Sequence, residues 1–162
     1  MSRTLVIGFG NIDRADDGIA LHIINLLRRK AGQKTLEENE DGMEEMGGEM
    51  DSIFLVQLVP ELIDLLVGYD QVIFIDAHVG PQMNDLHSEP VSLEFSPQTF
   101  THHTTPAMLL VLLRTLNNQE IGGHTISIRG HVFDFHRNLS EAATALIEPA
   151  VEEILWICGH GQ

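Results

Sequence analysis

Positive charge is scarce in this sequence: nine Lys and Arg stand against 24 Asp and Glu, for a formal net charge of −15. A phosphate backbone is held by Lys and Arg, so nucleic acid and anionic membrane surfaces are excluded as partners. Cysteine is nearly absent too. The single thiol, Cys158, allows neither an internal disulfide nor a cysteine-rich zinc site, and its place in an apolar helical pattern reads as packing. No apolar run approaches the ~20 residues of a membrane span. The start, "MSRTLVIGFGN", enters a strand pattern without the layout of a signal peptide. The expected location is therefore the cytoplasm.

Apolar residues are plentiful at 43% of 162, which suits one domain over residues 1–162 with a real core. Short, continuously apolar runs read as buried strands: "TLVI" closed by Gly8, "SIFLVQL", "QVIFIDA" and "TISIRG". A further strand candidate, "VSLEF", lies in a loop-like stretch from His78 to Phe100 that holds three of the six prolines. Between the strands come helical patterns. One runs from Asp17 to about Ala31–Gly32 with Arg28, Arg29 and Lys30 in its last turn, where cations complement the carbonyl end of the dipole. Others are "PELIDLLVGY", "TPAMLLVLLRTL" and a final helix capped by Ser140, in which Pro149 predicts a kink or break. Alternating apolar strands and amphipathic helices predict an α/β three-layer sandwich, with a mostly parallel, roughly five-stranded sheet covered on both faces. A functional site is then expected beyond the carboxyl ends of the strands.

Residues 35–52 are compositionally foreign. Positions 37 to 51 hold eight acids, three glycines and no base, which reads as a mobile acidic insertion on the surface. The alternating ligand spacing of a calcium loop is missing from it.

The turn "GFGNIDRADDGIA" invites a dinucleotide reading through Gly8 and Gly10. The third glycine of that fingerprint is missing, since position 13 is Asp. Asp16 and Asp17 would occupy the free N–H groups of a helix start and repel a second anion. Asp16 as a helix cap, with Asp17 favourable in the first turn, is the local explanation of these acids. It leaves open what lies opposite. Asp76 ends a very apolar strand at the carboxyl edge, where a carboxylate is either the cap of the following turn or a site residue. His103 precedes the helix "TPAMLLVLL" and projects from the same edge; its neighbour His102 is one place away. Asp17, Asp76 and His103 would converge as two oxygen donors and an imidazole. That set suits a divalent transition metal such as nickel, zinc or iron, with open positions for other ligands. His131 and His136 in "RGHVFDFHRNLS" read as surface or packing residues, flanking a turn after the last strand.

In its motifs the chain resembles the hydrogenase maturation proteases, endopeptidases that trim the C-terminus of the large subunit of a nickel–iron hydrogenase. The resemblance is carried by "GFGNIDRADDGIA", "QLVPEL", "VIFIDA", "THHTTP" and "LSEAATALIEPAVEEIL", in this order along nearly the whole chain. It implies that Asp17, Asp76 and His103 bind metal and act in catalysis, and that the metal is nickel carried by the substrate. It implies an aspartic-type endopeptidase whose partner is the precursor of a hydrogenase large subunit. One departure stands out: where many members carry an Asp–Gly-rich segment after the second strand, this chain reads "FLVQLVPEL", with no acid before Glu61. Two mechanisms stay open, water activated by a site carboxylate and a carbonyl polarised by the metal. Two competing functions are a non-catalytic nickel-binding maturation chaperone and a peptidyl-tRNA hydrolase, which also begins with a strand and "GxGN". The acids beside the glycine turn oppose the second.

Overall fold

The structure, a computed structural model, describes residues 2–81, 83–93 and 103–160. Five strands form one sheet: β1 (Thr4–Phe9), β2 (Met50–Leu55), β3 (Gln71–His78), β4 (Leu86–Pro90) and β5 (Gly122–Arg129). Their spatial order is β2-β1-β3-β5-β4, with every pair parallel except β4 against β5. Helices α1 (Ile19–Lys30), α2 (Ile63–Leu66), α3 (Pro106–Asn117), α4 (Glu141–Thr144) and α5 (Ile147–His160) cover its two faces. The alternation of the strands decides which helices lie where. Val6, Ile73, Ile75, Ile126 and Ile128 pack with Ile19, Ile23 and Ile24 of α1 and with Val151 and Ile154 of α5. On the other face Leu5, Ile7, Val72 and Phe74 meet Leu66 of α2 and Leu109 and Leu113 of α3. The expected α/β sandwich with its mostly parallel five-stranded sheet is the observed one.

Several boundaries differ from the sequence reading, each for a local reason. The edge strand lies at Leu86–Pro90 rather than at "VSLEF", of which residues 94–95 fall outside the described residues. Its sequence, "LHSEP", has one apolar side chain, because an antiparallel edge strand with an exposed rim needs no continuous hydrophobic run. α1 begins at Ile19, after a 3-10 turn at Ala15–Gly18, not at Asp17. "PELIDLLVGY" makes only a 3-10 turn at Pro60–Leu62 and the single helical turn of α2. Ser140 caps α4, accepting from the Ala143 N–H, as its sequence position suggests. The final helix then breaks before Ile147, ahead of Pro149, so the proline sits in the first turn of α5, where no intrahelical donor is missed.

The acidic segment carries specific contacts. The Asn25 side chain bonds both the N–H and the carbonyl of buried Leu36, at 2.7 and 3.0 Å. Arg28, itself buried, donates to the carbonyls of Lys34 and Ser52. Its guanidinium also lies 3.8 Å from a Glu45 carboxylate oxygen. The last residues of the segment, from Met50 onward, form β2.

Candidate functional site

The glycine turn after β1 serves a carboxylate. Gly10 has φ +149, and a Cβ there would meet the Asp17 carbonyl oxygen at 2.0 Å, so only glycine lets the turn lie this close. The next N–H, of Asn11, donates to Asp17 Oδ2 at 2.8 Å. The donor that a phosphate would need is thus already taken, in keeping with the exclusion of a dinucleotide.

Asp16 does something the sequence did not disclose. It is no helix cap: no side-chain cap bond occurs in the 3-10 turn or α1. Its carboxylate, with no exposed surface, turns instead toward residues 131–140. The N–H groups of His131 and Val132 donate to Oδ2 (2.8 and 3.1 Å), the Ser140 N–H to Oδ1 (2.8 Å) and the Ser140 hydroxyl to Oδ2 (2.7 Å). Burial would raise this carboxyl, but the bonds from Ser140, His131 and Val132 together hold it below its ordinary value. Reciprocal backbone bonds run from Ala15 N–H to the His136 carbonyl and from Asp16 N–H to the Val132 carbonyl. They hold Ala15 at φ 48, a left-handed conformation unusual for alanine. Asp16 therefore fixes the turn that carries Asp17. His131 and His136 enter this network through their backbones.

Asp76 stands near the carboxyl end of β3, directly across the ladder from Ser127. Val72 and Phe74 face α3, so Asp76 and His78 continue that face, and Ser127, between the inward-facing Ile126 and Ile128, shares it. Burial pushes the Asp76 carboxyl up to about 6; a hydrogen bond from the Ser127 hydroxyl lowers it, and the charge of Asp17 raises it. The two aspartates therefore feel each other across the rim. Among the described residues Asp76 Oδ1 is buried without a hydrogen-bond partner, an expensive state for a carboxylate oxygen unless something else meets it. His78 Nδ1 is 2.8 Å from Ser127 Oγ.

His103 is exposed, two residues before Thr105, the cap of α3, whose hydroxyl accepts from the Met108 N–H at 3.2 Å. β5 starts at the amino edge of the sheet only a short loop after α3 ends, so α3 starts toward the carboxyl edge, and His103 with it. The three sequence-predicted residues thus share one edge. The charge of Asp17 acts on Asp76, but among the described residues no three His, Cys, Asp or Glu side chains meet closely enough to hold one ion. His102 lies outside the described residues. A groove with cavities of about 500 and 380 Å³ runs along the opening loop, past Gly10, Asn11, Ile12 and Leu36. Arg137 crosses it, paired with Asp13 at 2.8 Å and with Glu38.

Asp16's network, Ser127 and His78 were missed in the sequence. For the last two a signal existed: strand alternation in "TISIR" sets Ser127 opposite the isoleucines, and His78 is two places beyond Asp76.

No family model matches this sequence, and no curated protein does. Solved structures do match in fold. The hydrogenase maturating endopeptidase HybD from E. coli superposes with a TM-score of 0.70 at 20% identity, covering 98% of this chain and 94% of that one. The [NiFe] hydrogenase maturation protease HybD from Thermococcus kodakarensis gives 0.65 at 20% identity, over 96% and 99% of the two chains. A hydrogenase 2 maturation peptidase from a Thaumarchaeota archaeon gives 0.63 at 20% identity, over 97% and 98%. The chain therefore has the fold of the hydrogenase maturation endopeptidases over essentially its full length.

Proposed function

We propose that this protein is an endopeptidase that removes a C-terminal extension from the nickel-loaded large subunit of a nickel–iron hydrogenase. The observation that carries this reading is the Asp17–Asp76 rim: two carboxylates at the carboxyl edge, with the charge of Asp17 acting on Asp76 and one Asp76 oxygen buried without a hydrogen-bond partner among the described residues. The family fold and the neighbours' stated activity support it. Carboxylate oxygens and an imidazole fit a borderline divalent ion. Two carboxylates hold a free ion only weakly, and they suit an ion that arrives with further ligands of its own.

In this reading Asp17 and Asp76, with His103 from the start of α3, grip the nickel of the substrate and bring the scissile bond beside it. The ion supplies Lewis acidity toward a carbonyl. A carboxylate oxygen of the rim that is not on the ion takes the proton of the attacking water. The groove past Gly10 and Asn11 gives an extended peptide room along the opening loop. The proposed site of action is the cytoplasm; no described helix is long and apolar enough to cross a membrane.

The test is incubation with nickel-loaded and nickel-free precursor, read by intact mass. Shortening of the loaded form alone is expected; no shortening of either form refutes the reading. A second reading, a nickel-binding maturation chaperone without protease activity, is favoured by one feature: β2 runs into "VQLVP" with no acid before Glu61. Nickel binding without cleavage of any precursor would select it.

A further inference from the structure

Resting on the reading of the rim as a nickel-recognising site, we infer that Ser127 and His78 are positioning residues that hold the Asp76 carboxylate with Oδ1 turned toward the ion. A serine hydroxyl rotates among three staggered positions, and alone it would orient nothing. Here it is fixed from two sides. Ser127 is buried and stands opposite Asp76 in the β3–β5 ladder, and its oxygen is 2.8 Å from His78 Nδ1. The hydroxyl has one proton. With that proton directed across the ladder to Asp76, the oxygen accepts from His78 Nδ1–H, the tautomer this order assigns. The order is then imidazole N–H to hydroxyl oxygen, hydroxyl proton to carboxylate. One side of the carboxylate is engaged, while Oδ1 has no partner among the described residues.

The arrangement resembles the outer-shell bonds that orient metal-ligating carboxylates, but here it is built on sheet rather than on loop. β3 and β5 share eight register pairs, from Gln71↔Gly122 to His78↔Arg129, so all three groups sit on the most extensively paired strands of the fold. A carboxylate held this way loses little freedom when an ion arrives, and loss of such a partner typically weakens metal binding about 10–100-fold.

The experiment measures binding of nickel ion alone by titration calorimetry, together with melting temperature. Ser127→Ala and His78→Phe should each weaken binding about 10–100-fold while melting stays within a few degrees of wild type. Because His78 acts through Ser127, the double variant should bind no more weakly than the worse single one. Ser127→Thr, which restores the hydroxyl, and His78→Asn, whose amide N–H replaces Nδ1–H, should recover most of the affinity. A purely structural role would move melting rather than show this rescue. Wild-type affinity in Ser127→Ala, additive losses in the double variant, or no nickel binding by the wild-type protein would overturn the inference. Cleavage of the nickel-loaded precursor is scored separately: if the affinity pattern holds and no precursor is cut, the protease reading fails and the positioning role stands.

Discussion

Two carboxylates, Asp51 at the amino edge of the sheet and Asp76 at its carboxyl edge, meet opposite surroundings. At the amino edge, Asp51 is 2% exposed and fully engaged: it accepts from the Tyr69 hydroxyl, from the N–H groups of Gly47 and Gly48, and from Arg3 at 3.2 Å. Burial pushes its carboxyl up, yet Tyr69, the two glycines and Arg3 bring it below its ordinary value. Arg3 also lies over the Tyr69 ring, 4.5 Å from its centre. At the carboxyl edge, Asp76 has a hydroxyl on one side, a like charge nearby and a bare oxygen, and its carboxyl rises to about 6. A satisfied carboxylate holds chain segments together. An unsatisfied one costs stability and is poised to meet a cation.

The largest effect that tests this contrast is catalytic. Asp76→Asn should lower precursor cleavage by roughly 10²–10⁴-fold, read as kcat/KM, with no loss of folded protein. Asp51→Asn should do the reverse. It breaks a buried, paired charge and should cost about 3 kcal/mol in denaturant unfolding, while the protein that remains folded keeps its cleavage rate. If the two variants behaved alike, the distinction between the edges would collapse.

A smaller effect separates satisfied from unsatisfied carboxylates by pH. Asp51 and Asp16 have lowered carboxyls, so their stabilisation is present above about pH 4 and is lost as pH falls through their folded values. Asp76 has the opposite sign. Its pKa rises from 3.8 to about 6 on folding, so ionising it costs stability as pH climbs through that window. Asp76→Asn should therefore match wild type near pH 3.5 and become more stable between pH 4 and 6, by at most about 3 kcal/mol above that. Melting curves across pH check this; an equal offset at all pH values would contradict it. The smallest effect is at the groove. Arg137 bridges Asp13 and Glu38 while half exposed, so Arg137→Ala should leave the melting temperature within about a degree of wild type.

Much of this was legible in the sequence because buried strands advertise themselves. "TLVI", "QVIFIDA" and "TISIRG" mark β1, β3 and β5, and Asp76 stands out as an acid at the end of an apolar run. The glycine turn and its acids were legible too, though their division of labour was not. Asp16 meets partners 115 to 124 positions away, and no local pattern announces such a pairing. β4 was misplaced because an edge strand with a single core-facing apolar side chain, Leu86, carries no hydrophobic run. His103 could be assigned to its edge from the helix it precedes, but gathering it with the two aspartates depends on tertiary geometry that spacing does not encode.

The most direct measurement is a crystal grown with nickel and read by anomalous scattering. The account predicts one ion at the carboxyl edge, about 2.0–2.2 Å from Asp76 Oδ1 and from an Asp17 oxygen. An ion bound elsewhere, with these two carboxylates facing away from each other, would contradict it.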